Sequence, residues 1–158
     1  MKGKKTIGLV AHDARKAELL DWVRKNATRL AAHDLVCTGT TGLRLRAMFE
    51  AEFPRLVYRI ALLKSGPLGG DQQMGARIAE GKLDILVFFT DPMTPQPHDV
   101  DVKALVRLCT VYNTVMACNA ATADFIISSP LFDAPYEPVR FDYREYLARD
   151  GEERTDGA

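Results

Sequence analysis

The chain has no apolar run approaching the roughly 20 residues that a bilayer crossing requires, so no membrane span is expected. It also has no excess charge of either sign, with 21 Lys and Arg set against 21 Asp and Glu in 158 residues. A nucleic acid or an anionic membrane surface as main partner would require a net basic field. Neither is therefore expected, whereas a small anion held in a local basic pocket stays compatible. Cysteine is scarce: Cys37, Cys109 and Cys118 are odd in number and far apart, with no Cys-x-x-Cys pair. This argues against a disulfide framework and for reduced thiols in a cytoplasmic protein. With three histidines and nothing like a two-His-one-carboxylate spacing, no metal site is expected. The Walker A ending, the Gly-x-Gly-x-x-Gly fingerprint and the Gly-x-Ser-x-Gly elbow are all missing. Met1–Thr6 is basic, but no signal-peptide apolar region follows it.

What the chain does contain is an alternation of strand and helix signals from end to end. Thr6–Ala11 is a short apolar run of buried-strand type. Ala17, Leu20, Val23, Ala27 and Leu30 then recur at helical spacing and predict one amphipathic helix over Ala14–Leu30. Further strands are predicted at Asp34–Cys37, Leu56–Leu63, Leu83–Phe89 and Val115–Cys118. Helices are predicted at Leu43–Phe53, Gln72–Glu80, Val102–Tyr112 and Ala120–Ile127, the second of these closed by Gly81. Such alternation predicts an α/β fold, a three-layer α/β/α sandwich on a parallel sheet, because parallel strands need right-handed crossovers. With 47% apolar content the whole chain suits one domain with its core over about residues 6–132, and a charged tail, 149–158, that frays.

Ligands of such sheets bind at the carboxyl ends of the strands. Every unusual polar residue falls at that edge: His12 and Asp13 after the first strand, Thr38 to Gly42 after the second, Ser65 to Asp71 after the third, Thr90 and Asp91 after the fourth, Asn119 after the fifth. The Thr38-Gly39-Thr40-Thr41-Gly42 run offers three hydroxyls at a helix start, more than one N-cap needs, and suits phosphate oxygens. Lys16 shares a helix face with His12 and opposes the helix dipole, a conflict that a bound phosphate removes. Ser65-Gly66-Pro67-Leu68-Gly69-Gly70-Asp71 is a glycine-rich anion loop holding a carboxylate. Asp71 repels phosphate there, so it is either a helix-start acid or a group acting on an atom beside the phosphate. Pro97-His98-Asp99-Val100-Asp101 puts one imidazole near two carboxylates that can fix its tautomer. A cradle, a carboxylate and a histidine together point to a small phosphorylated carbonyl compound. The carboxylate would take the proton α to the carbonyl and His98 would polarise the oxygen. Isomerisation and phosphate expulsion both remain open from these residues.

The chain resembles the methylglyoxal synthase family from about Ile7 to Phe132. The resemblance rests on Ala11-His12-Asp13, the Thr38–Gly42 run, Ser65–Gln73, Phe88-Phe89-Thr90-Asp91-Pro92, Pro97–Leu105 and Asn119–Asp124. It implies a cofactor-free lyase that converts dihydroxyacetone phosphate to methylglyoxal and inorganic phosphate, a five-stranded Rossmann-like sheet in order 3-2-1-4-5, a homohexamer, and inhibition by phosphate. It also implies Asp71 as general base, His98 at the enediolate oxygen, and Asp101 and Asp91 as supporting acids. His12, Lys16, Thr38, Gly39, Thr40, Thr41, Ser65 and Gly66 would hold the substrate. The same fold resembles a regulatory effector-binding module, which would need the cradle but no base. Arg46–Tyr58 is longer and more charged than the family pattern, and the part after Phe132 matches weakly, leaving the role of Arg144 or Arg149 unassigned.

Overall fold

A computed structural model describes residues 3–95, 99–139, 141–144 and 148. His98 and the 149–158 tail lie outside the described residues. The strands are β1 (Thr6–Ala11), β2 (Asp34–Cys37), β3 (Arg59–Leu62), β4 (Ile85–Phe89) and β5 (Val115–Ala117). All pairings are parallel and the order is β3-β2-β1-β4-β5. Both faces of β4 are covered, which is why Ile-Leu-Val-Phe-Phe is buried throughout instead of alternating with polar residues.

One face of the sheet packs against α1 (Lys16–Lys25), α2 (Ala27–Ala31), α3 (Gly39–Glu52) and α6 (Ala120–Ser128), burying Leu9, Leu19, Leu45, Phe49 and Phe89. The other packs against α4 (Gly70–Ala79) and α5 (Asp99–Val111), burying Val36, Met74, Leu86, Phe88 and Leu105. The helix expected over Ala14–Leu30 is instead a 3₁₀ turn (Asp13–Arg15), α1 and α2. The break falls at Asn26, whose Nδ2 donates to Trp22 O at 2.9 Å and so satisfies a carbonyl that the helix frees. Trp22 in turn donates from Nε1 to Asp124 Oδ1 at 2.8 Å, tying α1 to α6. Asn119 caps α6 by accepting from Thr122 N at 2.9 Å. The Asn119–Asp124 motif is thus architectural.

At the amino edge of the sheet, Lys5 N–H donates to His33 Nδ1 at 3.1 Å, so the ring holds its proton on Nε2, 3.7 Å from Asp133 Oδ1. Burial pushes the His33 pKa below its ordinary 6.5, outweighing the opposing pull of Asp133. The unfolded chain takes up a proton near that value and the folded chain resists it. Stability is present above the ordinary pKa and is lost as pH falls through it toward the depressed folded value. His33→Asn, which keeps an acceptor for the Lys5 amide but does not titrate, should flatten this decline in thermal melts. Equal decline in both proteins would remove His33 as its cause.

Candidate active site

The strand ends are level where the chemistry-bearing residues emerge, since Cys37 lies opposite both Leu9 and Leu62, and Ala11 lies opposite Phe89. The strand order reverses between β1 and β4, and that switch point opens the crevice. His12, just past β1, is buried and meets the Phe88 ring edge-on with centroids 5.1 Å apart. Across the switch point the Asp91 main-chain N–H donates to His12 Nδ1 at 2.8 Å. An imidazole whose Nδ1 accepts must carry its proton on Nε2 when neutral. The backbone therefore makes His12 a donor on its other nitrogen.

Lys16 opens α1 and its side chain is only 11% exposed. Its ammonium donates to Asp13 Oδ1 and, at 2.6 Å, to Thr40 Oγ1. Lys16 beside it holds the Asp13 carboxyl below the usual carboxylate range, first through that hydrogen bond and then through its charge. Thr38 occupies the N-cap position of α3 in extended backbone, yet its hydroxyl makes no capping bond. Thr41 Oγ1 is buried and makes no hydrogen bond among the described residues. Helix geometry leaves the Thr40 and Thr41 amides without intrahelical acceptors. Hydroxyls that do not serve the helix are available to a ligand, which favours the anion cradle over the routine cap.

Two loops meet to close the cradle. A Cβ on Gly39 would stand 2.9 Å from Ser65 N, so only glycine lets the loops touch there. Gly39 N–H donates to Lys64 O at 3.1 Å, and Gln73 Oε1 accepts from Lys64 N at 2.8 Å. Beyond the 3₁₀ turn Gly66–Leu68, Gly69 at φ +97° reverses the chain into α4. Gly70 N–H then donates to Ser65 O at 2.9 Å. This turn swings Asp71 inward, and it is only 2% exposed in the first helical turn. The partial positive charge there stabilises a carboxylate.

The resulting cavity of about 360 Å³ brings together eight of the residues expected from the sequence: His12, Lys16, Thr38, Thr40, Thr41, Ser65, Gly66 and Asp71. It is at the small end of the roughly 300–1,000 Å³ typical of ligand sites. Gly39 shapes the cradle without lining it. Asp91 and Asp101 are also absent from the wall, and Asp101 sits half-buried in the first turn of α5. The Asp91 carboxylate instead accepts from Met93 N at 3.0 Å. Bonds from the Thr94 side chain and then the Met93 amide keep its carboxyl below its ordinary range. Asp91 thus organises its loop and positions His12 through the backbone. Asp13, Pro67 and Phe88 line the cavity without having been singled out as site residues. The sequence placed Asp13 at this edge beside His12 but assigned it no role. Cys37, next to Thr38, is buried and its thiol is pushed up to about 12, which excludes it as a thiolate nucleophile.

No helix among the described residues is long and apolar enough to cross a membrane. Residues 18–118 match the family model described as the MGS-like domain. Methylglyoxal synthase from Oleidesulfovibrio alaskensis is 52% identical over 151 residues, covering 96% of this chain and 99% of the relative. The Cellvibrio japonicus methylglyoxal synthase is 50% identical over 149 residues, covering 94% and 92% respectively. The crystal structure of methylglyoxal synthase from Elizabethkingia anophelis aligns with a TM-score of 0.84 at 50% identity, over 93% of this chain and 92% of that one. With the family model over most of its length and relatives of half-identical sequence over nearly all of it, the chain belongs to the methylglyoxal synthase family of enzymes.

Proposed function

We propose that the cavity binds dihydroxyacetone phosphate and expels its phosphate to give methylglyoxal. The observation that carries this reading is a buried carboxylate, Asp71, on the same small cavity as a lysine and three threonines. An anion site built for affinity alone would exclude that negative charge, whereas a base that works beside a phosphate must accept it. Lys16, the Thr38–Thr41 loop and Ser65–Gly66 hold the phosphate. Asp71 takes a proton from the hydroxymethyl carbon, and the electron pair forms an enediolate whose oxygen is stabilised by N–H donors. His12 Nε2 is one such donor, and His98 is a second by family resemblance. The remaining hydroxyl then gives its proton to the departing phosphate and becomes the aldehyde. A new C=C bond forms toward the phosphate-bearing carbon as its C–O bond breaks. The enol so released ketonises to methylglyoxal.

Expulsion needs the C–O bond roughly perpendicular to the enediolate plane, so the cradle must grip the phosphate out of that plane. Such positioning contributes several kcal/mol to catalysis. A bound enediolate mimic with an in-plane phosphate would contradict it. Incubation with dihydroxyacetone phosphate should release phosphate and methylglyoxal in equal amounts. A triose phosphate product with no free phosphate would identify an isomerase, and binding without turnover a regulatory module. Lys16→Met should raise KM about ten- to hundredfold with a smaller effect on kcat, because a charge-assisted hydrogen bond is worth roughly 1.5–3 kcal/mol. An unchanged KM would remove Lys16 from the phosphate.

We further infer a homohexamer inhibited by phosphate. The count of six and the inhibition follow from the family resemblance, and self-association is further supported by the apolar side chains left on the surface, Leu68, Met93 and Phe125 among them. Light scattering would read the mass directly.

A further inference from the structure

We propose a second binding site at the opposite edge of the sheet, taking a small amphipathic anion, a carboxylate on a short alkyl chain, with its head on Lys5 Nζ. Lys5 precedes β1 and is only 2% exposed, one of the largest side chains in the interior. Its ammonium donates to Ala134 O at 2.8 Å. No carboxylate among the described residues stands within 4.0 Å of it. The nearest acid on that segment, Asp133, is taken by Arg29 on one oxygen and faces His33 on the other. An ammonium carries three donors and a full charge, so one neutral carbonyl leaves it under-compensated in a place that water hardly reaches.

Beside this charge lies a cavity of about 180 Å³, walled by Ile85, Val115, Ile126, Leu131 and Phe132. Its volume equals about six waters at ~30 Å³ each, room for the five-carbon tail of a hexanoate whose carboxylate sits on Lys5 Nζ. Inorganic phosphate would satisfy the charge and leave the walls bare. A neutral alkyl compound would fill the walls and leave the charge. A short-chain carboxylate does both. Leu131, at 51% exposure, stands at the rim. The site lies at the amino ends of the strands, away from the cavity holding Asp71, and rests on no step of the reaction proposed above.

Isothermal titration of the full chain with hexanoate should show saturable binding. Hexan-1-ol should bind about ten- to hundredfold more weakly, the worth of one charge-assisted hydrogen bond, and hexylammonium not at all. Lys5→Met should lose hexanoate affinity by a similar factor. Should that variant fail to fold, Leu131→Trp carries the test, since an indole at the rim fills the cavity while the core stays intact. It should abolish binding with an unchanged melt. Excess inorganic phosphate should not compete. Equal affinity for hexanol and hexanoate would overturn the proposal. So would binding unchanged by Leu131→Trp, competition by phosphate, or no saturable binding.

Discussion

Asp71→Asn is expected to lower kcat for phosphate release at least about 10²–10⁴-fold, the usual contribution of a positioned general base, while phosphate binding is kept or tightened. The amide matches the carboxylate in shape, so the first turn of α4 and its packing should persist. What disappears is a basic oxygen able to take the proton and the negative charge that faces the phosphate. These two losses push in opposite directions, one against turnover and one toward binding, and no purely structural role produces that split. Continuous phosphate release gives kcat, and equilibrium titration with inorganic phosphate gives affinity. Turnover within tenfold of the parent would sink Asp71 as base, and a matching collapse of phosphate affinity would point to a damaged cradle instead.

Gly70→Ala should be the most damaging single-methyl change in the site. The added Cβ would stand 2.1 Å from Lys64 O and 2.9 Å from Lys64 C, and both atoms are backbone, so no side chain can swing aside. The Ser65–Gly70 turn or the start of α4 must move. Overpacking of this kind costs about 1–3 kcal/mol or more. A base displaced by about 1 Å costs on the order of 10²-fold in rate. Gly69 supplies the control. It sits at φ +97°, but a Cβ there has open space, its nearest neighbour being Gln72 Oε1 at 3.8 Å. Gly69→Asn, the residue type that best tolerates left-handed backbone, carries backbone strain but no clash and should cost less stability and activity than Gly70→Ala. Denaturant unfolding and kcat/KM on both variants give the comparison, and a Gly70→Ala protein indistinguishable from its parent would refute the steric argument.

Residues whose environment is announced by local pattern were legible. Thr6–Ala11 is a strand over the predicted bounds, and so is Asp34–Cys37, because buried parallel strands are continuous apolar runs. The predicted Leu56–Leu63 strand shrinks to Arg59–Leu62, since an edge strand lasts only as long as the β2 partner it pairs with. The helix expected from Leu43 begins at Gly39 instead. Its threonines and glycines look like a loop by composition, and the helix start there is held from a distant segment, Gly39 N–H donating to Lys64 O. Two carboxylates divide in the same way. Asp71 was legible as unusual because a negative charge in an anion loop contradicts local electrostatics. The role of Asp91 was not legible, since the group that acts on His12 is its main-chain amide, and every residue except proline carries one.

By itself, then, the sequence determined the order of strands and helices, the edge at which the polar residues gather and, through the family motifs, the residues to expect in the site. Hydrophobic period and glycine placement are local properties, and local properties survive in one dimension. The tertiary structure decided which of those residues face one cavity, which nitrogen of His12 carries the proton, and that Lys5 is buried with its charge only partly met. These depend on contacts between segments 24 to 129 positions apart. Their geometry exists only once the sheet has brought the strand ends level.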